Sequence, residues 1–278
     1  ILPPIVNPPS DSPTRQQAVL NWVDKVITYE KGPGSGFDGY LDKCYSLSAS
    51  GINSSASSVL VNHGFDRLLV TDSFDDNDLR PLGNDVIAGI NSFLPGIIVL
   101  SCHGNKGRML IADNGIPNDG IGNYITSLNR YNVLSYLFGN ETSNGLDNLN
   151  NPLKKYPIVL ANSCNTGQYD YNIDNNEIQN PSMAEAFTSY TEGIGGPLWI
   201  GNSRPSYSGS FETVFVSNLF NPDVLTGYPE ANPWCGGVSF ASSRFTDGGN
   251  IDVMHARNYF GDPDMEIWTA DPSKLNIT

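Results

Sequence analysis

The sequence has little charge, and basic charge is the scarcer kind. Lys and Arg together number 15 against 29 Asp and Glu, which gives a formal net charge of −14. A nucleic-acid partner is excluded on this ground, because binding it requires basic surface that replaces counterions. Charged residues make up only 16% of the chain and hydrophobic residues 39%, which is typical of a folded protein rather than a disordered one.

Several familiar motifs are also missing. No apolar run reaches about 18 residues, so we expect no membrane span. No GxSxG occurs, which disfavours a serine hydrolase. The four cysteines show no CxxC spacing, which argues against zinc or a redox pair, and no cofactor is expected for catalysis. A disulfide between Cys44 and Cys235 is left open, because connectivity cannot be read from sequence.

The chain divides into a short linker and one large domain. Residues 1–13 hold five prolines and indicate an extended linker, and residues 14–278 are expected to form a single domain. A helix is predicted directly after the linker, with Ser12 and Pro13 as cap and first turn. Its predicted apolar stripe consists of Val19, Trp22, Val23, Val26 and Ile27.

Strand-like and helix-like segments alternate through the rest of the domain. Alternation of this kind favours an α/β fold: a mostly parallel, doubly wound sheet of order 2-1-3-4-5 with helices on both faces. The predicted strands are 44–49, 67–71, 97–101, 157–161 and 197–201, and the predicted helices are 55–63, 83–93, a stretch within 121–138, and 182–191.

Two of these strands are followed directly by residues whose side chains can take part in catalysis. The stretch "IIVLSCHGNKG" places His103 after the third strand, and "PIVLANSCNTG" places Cys164 after the fourth. Ligands of doubly wound sheets bind beyond the carboxyl ends of the strands, beside the point where the strand order reverses. The third and fourth strands are neighbours in the predicted order, so we expect His103 and Cys164 to converge.

A thiol and an imidazole at one site predict nucleophilic catalysis. An imidazole favours the reactive thiolate and can protonate a leaving group, while glycines such as Gly104 and Gly167 let backbone N–H groups approach a substrate carbonyl. Either residue alone is more often a buried thiol or a locally satisfied imidazole. Their placement at matching strand ends favours a cysteine hydrolase.

These segments resemble the gingipain family of cysteine peptidases. The similarity extends from "WVDKVITYE" through "DVIAGINSFLPGIIVLSCHG", "NSCNTG" and "PLWIGNSRPSY" to "YFGDPDMEIWT", roughly residues 20 to 270. The resemblance implies a caspase-like three-layer sandwich and an endopeptidase that acts on protein or peptide substrates through an acyl-enzyme. Where the family commonly has Gly before the His, this chain has Cys102, which by strand alternation should point away from the site.

The resemblance also assigns residue roles. It implies that Cys164 is the nucleophile, that His103 is the general acid and base, and that the N–H groups of Gly104 and Cys164 form an oxyanion hole. The expected substrate-binding residues are Ser203, Tyr207 and Asn162. Relatives that cleave after Arg or Lys carry acidic residues after the first strand. The corresponding stretch here, "SASGINSSASSVLV", has no Asp or Glu. A small or polar substrate residue before the cut bond therefore fits this sequence as well as Arg or Lys.

A calcium site and an extracellular location complete the expectations. Alternating oxygen donors in "DYNIDNNE" predict a structural calcium at Asp170, Asn172, Asp174 and Glu177, with a solvated acidic loop as the alternative. Glycosylation triplets, together with the resemblance, favour a secreted or cell-surface protein, and we expect a monomer. Two alternative functions remain open: a catalytically inactive binding module on the same fold, and a transpeptidase.

Overall fold

The structure is a computed structural model of the chain. It describes residues 14–32, 39–49, 52, 54–71, 83–111, 136–138, 145–151, 154–169, 181–190, 192–205, 210–221, 234–246 and 255–269. Within these ranges no helix is both long enough and apolar enough to cross a membrane. The predicted linker, residues 1–13, lies outside them.

The described residues form nine strands in two sheets. The strands are β1 Lys43–Ser48, β2 Asp66–Thr71, β3 Ile97–Ser101, β4 His103–Asn105, β5 Arg108–Leu110, β6 Tyr136–Phe138, β7 Ile158–Asn162, β8 Leu198–Asn202 and β9 Arg257–Phe260. The large sheet has the order β2-β1-β3-β7-β8-β9, in which the first five strands are parallel and β9 is antiparallel to β8. The predicted order 2-1-3-4-5 is confirmed for those five strands.

Helices cover the large sheet on both sides. They are α1 Arg15–Lys31, α2 Ala56–Asn62, α3 Gly83–Phe93, α4 Met183–Glu185, which continues as a π-helix Ala186–Tyr190, α5 Phe211–Leu219 and α6 Gly236–Thr246. The predicted helices at 55–63, 83–93 and 182–191 are therefore present. The helix predicted as a stretch within 121–138 stays a prediction, because residues 121–135 lie outside the described ranges; Tyr136–Phe138 pairs with β5 as strand β6.

Alternation along the apolar strands creates two core layers. Residues such as Ile98, Val159 and Trp199 pack with α3 and α4 on one face, and their neighbours such as Val99 and Leu160 pack with the remaining helices on the other. This arrangement is a three-layer sandwich, as the sequence predicts. The fully apolar strands fit a sheet that is covered on both faces.

Helix α1 differs from its prediction in cap and in face. Its N-cap is Thr14, whose hydroxyl accepts a hydrogen bond from the N–H of Gln17 at 3.1 Å, rather than Ser12. Val19 and Ile27 are each 44% exposed, whereas Val26 is buried and Trp22 packs against the core, so only part of the predicted apolar stripe is packed. The packed face also buries Asn21 and Lys25, because their side chains donate to backbone carbonyls of the π-helix.

Candidate active site

The structure brings the His103 and Cys164 segments to the same edge of the large sheet. Strands β3 and β7 are adjacent and parallel, and their last residues, Ser101 and Asn162, are register partners. His103 follows β3 by two residues and opens the β4–β5 hairpin, and Cys164 follows β7 by two residues. The His103 side chain is exposed, and that of Cys164 is partly exposed.

Close contacts join these two segments. The N–H of Cys102 donates to the carbonyl of Asn162 at 3.3 Å, and the Ser163 hydroxyl donates to the carbonyl of Cys102 at 2.7 Å. A methyl group built on Gly104 would collide with Ser163 Oγ and lie 3.1 Å from the Cys164 carbonyl oxygen. The backbone beside His103 therefore lies directly against the Cys164 loop, at a spacing that suits glycine.

Neighbouring elements hold the loop that follows Cys164. The N–H of Asn165 donates to the carbonyl of Arg204 at 3.3 Å, and the N–H of Gly167 donates to the carbonyl of Asn202 at 2.8 Å. Asn165 adopts a left-handed conformation, with φ of 54°, which asparagine tolerates better than most residues. The turn after the thiol is thus attached to the end of β8.

The first turn of α4 connects the loop to the His103 hairpin. Its N–H groups reach both sides: Met183 donates to the carbonyl of Lys106 at 2.8 Å, and Ala184 donates to the carbonyl of Thr166 at 3.0 Å. A capping box between Ser182 and Glu185 fixes this turn. Burial raises the pKa of the Glu185 carboxyl, and the bonds from Ser182 and the charge of Lys106 partly oppose that rise.

A buried polar layer lies beneath the site, and the sequence analysis missed it. The layer consists of the last residues of three neighbouring strands, β3, β7 and β8, and the first residue of β9, all on the face that α5 covers. These residues are Ser101, Asn162, Asn202 and Arg257. Asn202 Nδ2 donates to the carbonyl of Ser163 at 2.9 Å, and Arg257 Nη1 donates to the carbonyl of Ala161 at 2.9 Å. These two side chains hold the backbone that leads into Cys164.

Arg257 is paired with an acid in the same layer. Its guanidinium forms an ion pair with Glu212 of α5, both side chains are fully buried, and the guanidinium carbon lies 5.0 Å from the centre of the Phe211 ring. The sequence holds one weak signal of this layer: the polar residues Ser101, Asn162 and Asn202 each end an otherwise apolar strand. No local pattern reveals that Arg257 and Glu212 are partners.

The remaining predicted site residues have varied positions. Asn162 and Ser203 are both buried, at 3% and 6% exposure, and Ser203 Oγ donates to the carbonyl of Ala256 at 3.3 Å. Tyr207 lies outside the described residues. The same is true of the four predicted calcium ligands, Asp170, Asn172, Asp174 and Glu177. Within the described ranges, no group of three or more His, Cys, Asp or Glu residues could hold a metal ion.

The four cysteines, all within the described ranges, form no disulfide and differ in accessibility. Cys44, Cys102 and Cys235 are buried, and Cys164 is partly exposed. The suggested disulfide between Cys44 and Cys235 is not formed. Cys102 belongs to the core layer beneath α3 and α4, which agrees with its predicted orientation away from the site.

Comparison with known proteins places this fold in a family. The model of peptidase family C25 matches residues 13–268. The crystal structure of the Arg-specific cysteine proteinase gingipain R (RgpB) superposes with a TM-score of 0.60 at 14% identity, covering 92% of this chain and 54% of that chain. The complex of the Porphyromonas gingivalis RgpB pro- and mature domains gives 0.59 at 14% identity, with coverage of 91% and 54%.

The chain thus spans about half the length of these structural neighbours. None of the curated protein sequences matches it significantly. The family match extends over most of the chain, including both the His103 and the Cys164 segments, and the shared architecture is the caspase-like fold. The chain belongs to peptidase family C25, the family of the gingipains.

Proposed function

We propose that the chain is a cysteine endopeptidase whose catalytic residues are Cys164 and His103. The observation that carries this proposal is the contact between the Gly104 backbone and the Ser163–Cys164 turn at the carboxyl edge of the sheet. A thiol and an imidazole presented from these two segments have the composition of a nucleophile and its acid–base partner. Membership of family C25 supports the same assignment.

The proposed reaction has two halves. The Cys164 thiolate attacks the scissile carbonyl carbon and forms a C–S bond, while the N–H groups of Gly104 and Cys164 stabilise the oxyanion. The C–N bond then breaks, and protonated His103 gives its proton to the departing amine. Water, deprotonated by His103, attacks the thioester and releases the carboxylic acid and the free thiol.

Thiol accessibility supports the choice of nucleophile. Cys164 is the partly exposed thiol of the four, whereas burial raises the pKa of the Cys44 thiol to about 12, and Cys102 is completely buried. A buried thiol of raised pKa is a poor nucleophile. Brief treatment of the folded protein with iodoacetamide should therefore label Cys164 first.

Cleavage of a mixed peptide library tests the proposal. Cys164→Ala should abolish cleavage, and the matched control Cys102→Ala should retain most of it, because that thiol lies in the core. The opposite pattern would show that the nucleophile is misassigned. His103→Ala should slow both cleavage and the alkylation of Cys164, because the imidazole favours the thiolate.

Two outcomes would point to the alternative functions. A folded protein that cleaves no peptide, and whose Cys164 is alkylated no faster than a free cysteine, would indicate a binding module. Added amines that appear in the product would indicate a transpeptidase. A secreted or cell-surface location, the monomeric state and calcium at residues 170–177 stay predictions that accompany this proposal.

A further inference from the structure

Ser163 lies directly before Cys164 and is buried, at 4% exposure. Its hydroxyl and its carbonyl form hydrogen bonds to different elements. The hydroxyl donates to the carbonyl of Cys102, the residue directly before His103, at 2.7 Å. The carbonyl accepts a hydrogen bond from Asn202 Nδ2, at the end of β8, at 2.9 Å. One buried residue therefore joins the Cys164 segment, to which it belongs, to the His103 segment.

The two hydrogen bonds restrain the peptide groups that precede His103 and Cys164. A peptide group is planar, so a bond that holds its carbonyl also restrains the direction in which the chain enters the next residue. The Cys102 carbonyl belongs to the peptide group that leads into His103, and the Ser163 carbonyl belongs to the one that leads into Cys164. Ser163 takes part in both bonds, so the entry of the chain into both residues is set around it.

The Ser163 hydroxyl also lies against the backbone that follows His103. A methyl group built on Gly104 would collide with Ser163 Oγ. The oxygen therefore contacts the chain on both sides of His103: the carbonyl of Cys102 before it and the backbone of Gly104 after it. These contacts restrain the His103 backbone from both directions along the chain.

The position of the His103 backbone matters because its side chain is exposed, and packing restrains an exposed group weakly. His103 opens the β4–β5 hairpin at its base. The turn of the hairpin is attached to α4, where the carbonyl of Lys106 accepts the N–H of Met183 at 2.8 Å. Ser163 attaches the base. The hairpin is thus held at both ends beside the Cys164 loop.

We propose, on the basis of the peptidase function above, that Ser163 is a positioning residue of the catalytic pair. Its hydroxyl sets the place of His103 relative to Cys164, and Asn202 holds Ser163 where it can do so. Ser163 takes no part in the bonds that form and break, and its burial separates it from the substrate. Misplacing a reacting group by about 1 Å can cost about a hundredfold in rate, so this contact supports a large part of the activity.

Ser163→Ala tests the proposal, because it removes the hydroxyl and adds no new atom in its place. We use the peptide that wild type cleaves best in the mixed library. Its kcat should fall at least about tenfold with little change in KM, because the lost group positions the catalytic pair and does not bind substrate. Alkylation of Cys164 by iodoacetamide should also slow, because a displaced imidazole favours the thiolate less.

A double-mutant cycle with His103→Ala shows whether Ser163 acts through His103. Once the imidazole is absent, its position no longer matters. Adding Ser163→Ala to His103→Ala should therefore leave the alkylation rate of Cys164 unchanged. A residue that acts on the thiol itself, or only on the stability of the fold, would lower the rate by the same factor in both backgrounds. That result would overturn the proposal.

The matched control is Ser243→Ala. Ser243 is also buried, and its hydroxyl donates to a backbone carbonyl, that of Ser239, at 2.6 Å. It lies on α6 and accepts a hydrogen bond from Asn218 of α5 at 3.0 Å. This variant should lower Tm and leave kcat and the alkylation rate unchanged at temperatures where circular dichroism shows a folded protein. An equal loss of kcat in the two variants would make Ser163 a purely structural residue and overturn its positioning role.

The failures of the two proposals are distinguishable. If His103→Ala slows alkylation and Ser163→Ala changes neither kcat nor alkylation, the positioning role is overturned and the peptidase proposal stays intact. If wild type cleaves no library peptide and His103→Ala alkylates as fast as wild type, the peptidase proposal is contradicted, and the inference fails with it.

Discussion

The central strands of the large sheet carry apolar side chains along their bodies and polar side chains at their carboxyl ends. Strands β3, β7 and β8 are buried at every position and are almost entirely apolar until their last residues. There the side chains on the α5 face become Ser101, Asn162 and Asn202, and Arg257 of β9 continues the row. On this face of each strand, the side chain two positions before the end is apolar and the side chain at the end is polar. The change takes place next to the segment that carries the candidate nucleophile.

The buried polar layer lowers the stability of the fold, and this loss of stability indicates a functional role. Ser101 Oγ, Asn162 Nδ2 and Asn202 Oδ1 are buried without a hydrogen-bond partner among the described residues. Buried polar atoms without partners destabilise a fold, and natural proteins tolerate them mainly at functional or strained sites. The strand bodies supply stability, and the polar ends hold the backbone that leads to Cys164.

Breaking the ion pair should have the largest effect. Arg257→Met leaves the Glu212 carboxylate buried without its partner, which should reduce the free energy of unfolding by about 3–5 kcal/mol. For a chain of this size that corresponds to a fall in Tm of roughly 10 °C. Thermal unfolding followed by circular dichroism measures it.

A double variant separates stability from positioning. Arg257→Met combined with Glu212→Leu should recover much of the lost stability, because a well-packed apolar pair can replace a buried ion pair. Peptidase activity should stay low, since the bond from Arg257 to the Ala161 carbonyl is still missing. Full recovery of both properties would show that this bond does not position the loop.

Separating the hairpin from the Cys164 loop should have the next largest effect. Gly104→Ala places a methyl group against Ser163 Oγ and the Cys164 carbonyl, and overpacking of this kind typically costs about 1–3 kcal/mol. We expect kcat/KM to fall by more than the loss of stability explains, because the two segments proposed to be catalytic move apart. The control is Gly32→Ala, where nothing lies within 4 Å of the added carbon. Equal activity in the two variants would contradict the contact.

Lys25 extends the comparison to α1, because its buried amino group also donates to backbone carbonyls. Its Nζ lies 3.2 Å from the carbonyl oxygen of Phe187 and 3.0 Å from that of Thr188. Burial lowers the pKa of Lys25 from 10.5 to about 7, against the opposing charge of Asp24. Between these two values the unfolded chain binds a proton that the folded chain does not, so its contribution to stability rises with pH.

This pH dependence can be measured against Lys25→Met, since groups common to both proteins cancel. The stability of wild type relative to the variant should rise by about 2 kcal/mol from pH 7 to pH 9 and stay flat below pH 6. Denaturant titrations at several pH values provide the measurement. Parallel pH profiles for the two proteins would show that Lys25 keeps its proton when buried.

The smallest effect should come from the apolar residues that α1 leaves exposed. Val19→Ala should change the free energy of unfolding by no more than about 0.5 kcal/mol, because this side chain is 44% exposed. Val26→Ala, at 6% exposure on the same helix, should cost about 1–2 kcal/mol. Denaturant unfolding of the two variants distinguishes a packed member of the predicted stripe from an exposed one, and equal losses would refute the assigned face.

Periodicity predicted the strands well and the packed face of α1 only in part, for a physical reason. A run such as 97–100 is apolar at every position, which a strand buried on both faces explains, and the structure forms β3 over Ile97–Ser101. In α1 the buried positions 21 and 25 are polar, so an apolar pattern could not find them. Their burial is stabilised by carbonyl groups of the π-helix, more than 160 residues away in sequence.

The sequence by itself determined the apolar strands, their parallel order and the placement of His103 and Cys164 after adjacent strands, because these features depend on local pattern and on the rules that govern crossovers. The tertiary structure alone decided which polar side chains are buried. Arg257 meets the Ala161 carbonyl across 96 residues, and Glu212 meets Arg257 from a separate helix. Such partners share no local pattern, and they become neighbours only when β9 joins the sheet beside β8 and α5 covers its face.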